Sequence, residues 1–326
     1  VTQRLLFTPP NVNVKGLPYQ DANGNQAFYR PDNDNPYFLA YHAPHTSDVD
    51  RYFGNFNIGY DVFEWLNVTY KVGFNGFTDR KLEVLPRSNT AFPTGRIIKD
   101  DLRRMELDGN LLVTVSRDLS EHIGLKAIVG HNANLRTVDR QAFQGVGIIV
   151  DGINDLDNTQ SVTPFGGNKS ERAYQAFLAD LSFSYKDYLF LNLTGRNDLT
   201  SALPKDKRSY FYGGASSSFI FTDALNISND ILNSGKIRVG VAKVGSDPSP
   251  YLTQSVLFNT NPSGPGFGNN IAFVDFPFIG TNGQTVSGGL GNGLLTPEFT
   301  TEYEIGTDLR LFKNKVGIDF TYYNRN

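Results

Sequence analysis

The stretch YHAPHTSDVD sets His42, His45, Asp48 and Asp50 close together, and imidazole and carboxylate are the groups that hold transition metals. A metal site needs three or four such ligands converging at about 2.0–2.3 Å. Two histidines three positions apart permit one, and a polar loop leading into a strand at 51 accounts for the same residues, so a metal role is unknown. PDNDNP (31–36) and DGINDLDN (151–158) collect the oxygen ligands that calcium takes, but neither has the spacing of a complete calcium loop. GGLGNG (288–293) shares only its letters with a phosphate-cradling loop, since it neither follows a strand nor opens a helix. His122 begins a strand-like run and His131 lies near its end, with no serine or cysteine constellation around either. The chain has no cysteine, which removes disulfides, thiolate metal sites and thiolate nucleophiles. Acidic residues are plentiful, yet no spacing puts two of them about 5–9 Å apart around a sugar. The expectation is a non-enzyme: no catalytic residue, no cofactor-binding residue and no cofactor. Residues 251–279 offer different chemistry. Tyr251, Phe258, Phe267, Phe273, Phe276 and Phe278 lie among Asn, Ser and Gly, which suits stacking and hydrogen bonding to sugars or peptides, or packing against other parts of the protein.

The elements that would position these residues follow a rhythm. In ADLSFSYKDYLFLNLTGRND (179–198), Leu181, Phe183 and Tyr185 alternate with polar residues, and Leu189, Leu191 and Leu193 do so again after Lys186 and Asp187. Period-two alternation predicts strands, and a two-residue link predicts a hairpin. Ten such runs are marked at 51–62, 65–75, 104–116, 122–132, 172–185, 188–198, 208–221, 235–245, 301–312 and 315–325. Each has about the ten residues a tilted strand needs to cross a bilayer. Short links at 63–64, 117–121, 186–187 and 313–314 face long, irregular ones at 76–103, 133–171 and 246–300, with a smaller one at 199–207. TDALNISNDILNS (222–234), on the short-link side, predicts a short helical turn. Tight turns at one end of a sheet and long loops at the other form the pattern of outer-membrane barrels.

Composition is compatible with that reading. Hydrophobic residues make up 39% and aromatic residues 13%, with 25 Phe, 16 Tyr and 32 Gly in 326 residues, a diet suited to strands and turns. Mean hydropathy is −0.32 and no apolar run reaches the ~18 residues of a membrane helix, which barrel strands do not need. A net charge of −3 without a basic run argues against a nucleic-acid partner. The chain starts at Val1 and stops at Asn326 directly after a strand-like run, so a piece of something longer is expected. Leu66, Val68, Tyr70, Val72 and Phe74 share one face of their strand; Arg51, Lys71, Asp108, Asp180, Arg196, Arg238, Asp308, Arg310 and Asp319 mark the other face of theirs. Tyr60, Trp65, Tyr185, Phe221 and Phe312 gather at the short-turn ends, as interfacial aromatics do, or as aromatics of a core near the turns. The apolar stripe is read as facing lipid and the polar stripe as bounding water.

Three later segments add a resemblance. LTPEFTTEYEIGTDLRLFKNKVGIDFTYYNRN (295–326) resembles the late barrel of the SusC/RagA family of TonB-dependent outer-membrane transporters. Leu295, Pro297 and Glu298 match its loop, Thr301, Tyr303, Glu304 and Gly306 its strand, and Asp319, Thr321, Tyr322 and Tyr323 the strand after the turn. Arg196, Asp198 and Arg208 to Tyr212, and Lys236, Arg238, Val244, Gly245 and Asp247, are similar to two further family segments. Gly213-Gly214 stands where the family commonly has Pro-Ser, which favours a bend or bulge. The similarity is strongest over 170–326, extends to about 50, and is weak over 1–45. It implies an all-β, antiparallel transmembrane β-barrel of which residues 51–326 are part, about ten strands of a larger barrel. Residues 1–50 would be an extracellular loop region, and the plug domain and TonB box would lie outside this chain. Implied partners are the lipid bilayer, a SusD-like surface lipoprotein lid, TonB through the missing N-terminal region, and an oligosaccharide or peptide cargo, at the bacterial outer membrane. N-x-S/T matches such as Asn67 and Asn192 then carry no glycosylation meaning. The rival readings are a passive porin and, further off, a soluble glycan-binding β-sandwich whose Leu66, Val68, Val113 and Leu191 are sealed between two sheets.

Overall fold

The computed structural model describes residues 5–6, 8–28, 30, 32–227, 229–255, 257–259, 284–286 and 289–326. Ten antiparallel strands pair in chain order in one sheet: β1 (His45–Phe63), β2 (Leu66–Leu85), β3 (Arg96–Ser120), β4 (Ile123–Ile148), β5 (Thr159–Tyr185), β6 (Leu189–Thr200), β7 (Ser209–Ile220), β8 (Leu232–Ser246), β11 (Glu298–Leu311) and β12 (Val316–Arg325). A separate two-stranded ribbon, β9 (Leu257–Asn259) with β10 (Gln284–Val286), lies in the link between β8 and β11. Helix α1 (Pro36–His42) precedes the sheet, and the expected helical turn after β7 is α2 (Phe221–Ala224).

All ten alternating runs are strands, but their lengths correct the sequence reading. The links expected at 76–103 and 133–171 are mostly strand: β2 to β5 run for 20, 25, 26 and 27 residues, leaving links of 86–95 and 149–158. The extensions bury apolar residues only in patches, such as Val84, Ile97 and Ile148, and not at every second position, so no period-two stripe runs along them. Opposite charges across neighbouring strands hold them together: Arg80 with Asp50 at 2.7 Å, Arg96 with Glu83 at 2.8 Å, and Arg140 with Asp100 at 2.8 Å.

The chain forms two compact units. The first comprises residues 1–54, 73–107 and 136–171. Its small apolar cluster is Val84, Ile97 and Ile148 with Leu82 and Leu156 packed against it. Beside this, Asp34, buried and 1% exposed, accepts hydrogen bonds from Gln26 Nε2 at 3.0 Å, Thr90 N–H at 2.8 Å and Thr90 Oγ1 at 2.9 Å. Gln26 N–H in turn donates to Ser88 Oγ at 2.8 Å. This buried polar node ties the segment before α1 to the β2–β3 link. Asn35 caps α1, accepting from Tyr37 N–H, and Pro36 takes the first turn, where a missing N–H costs nothing.

The second unit comprises residues 55–72, 108–135 and 172–326. Leu181 opposite Leu193, Phe183 opposite Leu191 and Tyr185 opposite Leu189 carry one apolar stripe across β5 and β6, and Ile305 and Leu309 opposite Val239 and Gly235 continue it on β8 and β11. The stripe is uncovered: Leu191 is 40% exposed, Ile305 52% and Phe320 63%. A soluble sandwich would bury these side chains, so that expectation is not met among the described residues. The β5–β6 turn puts Lys186 and Asp187 at φ 47° and 56°, with Tyr188 N–H bonded to Tyr185 carbonyl at 3.2 Å, the left-handed pair that tight hairpins prefer. Rings string along the short-turn end: Phe63 stacks on Trp65 at 5.3 Å, and Tyr188 meets Tyr185 and Phe219 edge-on at 5.6 and 6.2 Å. Phe221 differs, for it lies over Gly235, where an added Cβ would sit 2.1 Å from the ring.

Candidate solute-facing surface

Polar side chains on the other face of the second unit bond to one another across the strands. Asn192 Nδ2 donates to Asp180 Oδ1 at 3.0 Å and to Ser182 Oγ at 2.9 Å. Asp108 Oδ2 accepts from Asn132 and Asn134, each at 3.1 Å. Arg238 Nη2 donates to Asp319 Oδ1 at 2.9 Å and Thr321 Oγ1 at 3.1 Å. Such a face, polar and internally hydrogen-bonded, suits a wall bathed by water.

The densest part lies near the long-link ends of β5 to β8. Arg196 Nε donates to Asp198 Oδ1 at 2.6 Å, and Tyr212 donates its hydroxyl proton to Asp198 Oδ2 at 2.9 Å. Register places Arg196 opposite Tyr212 and Asp198 opposite Tyr210. Arg172 grips Asp247 through Nε at 3.1 Å and through Nη2, and Thr200 Oγ1 donates to the same carboxylate. Asp247, with its side chain only 7% exposed, thus fixes the start of the β8–β11 link to β5 and β6. The family-like motif included Asp247, but nothing in periodicity joins it to Arg172, 75 residues away.

In the first unit the metal candidates disperse. His42 ends α1 and packs its ring on Phe38 at 4.7 Å, whereas His45 starts β1 and lies 3.8 Å from Glu83. Asp50 pairs with Arg80. Within PDNDNP, Asp32 pairs with Arg30, Asp34 serves the buried node and Asn35 caps the helix; Pro31 lies outside the described residues. Within DGINDLDN, Asp151 pairs with Arg87, Asp155 with Lys99 at 2.6 Å, and Asn158 bonds Val150 and Ile153. Hydrogen bonding from Arg87 holds the Asp151 carboxyl below its ordinary range, and Lys99 does the same for Asp155. No group of three or more metal-ligating side chains gathers among the described residues. His122 and His131, in the second unit, contact Tyr185 and Phe177 rather than each other. Gly288 and the ring side chains of Phe258, Phe267, Phe273, Phe276 and Phe278 lie outside what is described.

A cavity of about 310 Å³ opens in the first unit, floored by Phe38, Val84 and Ile148 and rimmed by Tyr41, His42, Arg87, Asp151 and Asn154. Four separate stretches of chain build it, near 20–25, 38–44, 84–87 and 148–154, so no sequence window could reveal it.

No family model matches the sequence. A curated relative, TonB-dependent receptor P26 of Formosa agariphila, is 25% identical over 189 residues, 57% of this chain and 18% of that protein. The structure of the RagAB peptide transporter superposes on 94% of this chain and 34% of that chain at TM-score 0.79 and 17% identity. The RagAB peptide importer in its open-open state gives 0.76 at 19% identity, again over 94% of this chain and 33% of the other. The resemblance read from the sequence is borne out: the fold is that of a stretch of TonB-dependent receptor barrel, a bacterial outer-membrane architecture. This chain spans about a third or less of the length of those proteins.

Proposed function

We propose that the chain is a wall segment of an outer-membrane importer for oligosaccharides or oligopeptides, contributing selectivity surface and no catalysis. The observation that carries this is the two-faced sheet: one stripe of Leu, Ile and Phe left uncovered, and opposite it a polar face with side chains bonded across strands, as Asn192 to Asp180 and Arg238 to Asp319. The first orientation suits acyl chains, the second an aqueous lumen. Strand extensions beyond bilayer length, with residues 1–44, would stand on the cell exterior, where a SusD-like lipoprotein lid would meet them. TonB would act through a region outside this chain. The similar proteins are receptors and transporters, which supports a role without enzymatic chemistry.

The test uses the full-length protein in its own outer membrane. Carbonate washing should leave it in the membrane, and uptake of labelled oligosaccharides and oligopeptides should stop in cells lacking TonB. Uptake that continues without TonB would identify a passive porin, and release into buffer without detergent would end both membrane readings.

A further inference from the structure

We propose that the cavity between α1, the β2–β3 link and the β4–β5 link is a binding site for one end of a neutral saccharide chain. Its volume of about 310 Å³ sits at the lower end of the ~300–1,000 Å³ range of small-molecule pockets. The floor is apolar, with Phe38, Val84 and Ile148 all buried. From that floor a run of rings climbs to the surface: Phe38 against His42 at 4.7 Å, His42 near Tyr19 at 6.3 Å, and Tyr19 against Tyr41 at 5.2 Å. Tyr41 is 68% exposed at the top. The C–H faces of a sugar ring carry partial positive charge and pack on the negative faces of such rings. Around the mouth stand Gln20, Asn25 and Asn154, side-chain amides that both donate and accept, as sugar hydroxyls do. Gly152 also borders the opening with φ +85° and free space where a side chain would be, so the mouth is not blocked there.

Two other ligand classes fit less well. An anion would need a free cation, but the described lining residues include no Lys, one His, His42, whose ring packs on Phe38, and one Arg, Arg87, which Asp151 already grips through both carboxylate oxygens. A peptide added as a further strand would need unpaired backbone, yet Val84 N–H is bonded to Pro44 carbonyl at 3.0 Å, Gly147 N–H to Gly95 at 3.0 Å and Ile148 N–H to Thr94 at 2.8 Å. Rings, amides and one self-neutralised ion pair select an uncharged, hydroxyl-rich ligand.

The inference rests on the importer reading only for where the sugar goes next; binding can be measured without transport. The full-length protein in detergent is titrated by calorimetry with neutral hexasaccharides of glucose, xylose and mannose, and separately with an uncharged hexapeptide. At least one hexasaccharide should bind, and Tyr41→Ala, which removes the exposed ring, should weaken it about tenfold or more. Asn154→Trp, which fills the mouth from an exposed position without deleting any floor contact, should do the same, and Tyr60→Ala, in the second unit and outside the cavity lining, should change nothing. The site is overturned if no hexasaccharide binds, if both pocket variants bind as the parent does, or if the hexapeptide binds and those variants abolish it. Binding that persists in a protein found to transport nothing would sink the importer reading and leave the site standing.

Discussion

Leu191 and Asn192 are chain neighbours whose side chains meet opposite environments. Leu191 stands on the uncovered apolar stripe, while Asn192 bonds Asp180 and Ser182 on the polar face. Leu191→Arg should destabilise the inserted protein by about 2–4 kcal/mol near the bilayer midplane. Asn192→Ala should cost only about 0.5–1.5 kcal/mol per hydrogen bond lost and leave insertion yield unchanged. Urea titration of the full-length protein in vesicles separates the two, and equal effects would invert the assignment of faces. Asp247 is the contrasting case, a nearly enclosed carboxylate with two partners. Asp247→Ala leaves Arg172 and Thr200 without their acceptor and should cost about 1–3 kcal/mol, whereas Asp247→Asn keeps an acceptor oxygen and should cost less. Thermal unfolding in detergent ranks them.

At the scale of elements, what was legible tracks what the solvent sorts. Runs such as 65–75 and 188–198 betrayed their strands because one face meets apolar surroundings and the other polar ones, which writes alternation into the sequence. The extensions of β2 to β5 read as loops because charged residues such as Asp79, Lys81 and Glu83, or Arg136, Asp139 and Arg140, dominate them and their apolar residues, Leu82 and Val84 among them, come in patches too short to show a stripe. Their order comes from pairing charges between strands, a relation that spacing along one strand does not carry. The candidate ligand clusters failed for a related reason: proximity in sequence put His42 on a helix and His45 on a strand. Asp34 shows what such residues do instead. Asp34→Ala would take the acceptor from both donors of half-buried Thr90 and leave Gln26 Nε2 with only the Ser88 carbonyl, so about 1–3 kcal/mol should be lost, visible as faster amide exchange over residues 20–42. Asp151 gives a pH signature. Its carboxyl is held below its ordinary value by Arg87, so its contribution is fully present above about pH 4 and is lost as pH falls through the lowered value. Proteolysis within 149–158 should therefore speed up as the pH is lowered below about 4, and Arg87→Ala should remove that dependence.

For the whole molecule, every argument about function depends on which stripe sees lipid. The ring string at Phe63, Trp65, Tyr185 and Tyr188 and the uncovered leucines favour one answer, and the absence of cysteine makes it directly measurable. Single cysteines can be placed at Leu193 and Ile305 on one face, and at Thr194 and Glu304 on the other, any cysteine outside this chain first being replaced by serine. In the full-length protein reconstituted into vesicles, a membrane-impermeant maleimide should label the second pair and spare the first. A lipid-dissolved quencher should dim fluorophores attached at Leu193 and Ile305 and leave those at Thr194 and Glu304 bright. Leu193 and Thr194 are adjacent on β6, as Glu304 and Ile305 are on β11, so depth in the membrane is matched within each pair and only the direction of the side chain differs. A protein in which all four positions react alike with the maleimide has no lipid-facing stripe, and the wall, the lumen and the importer fall with it.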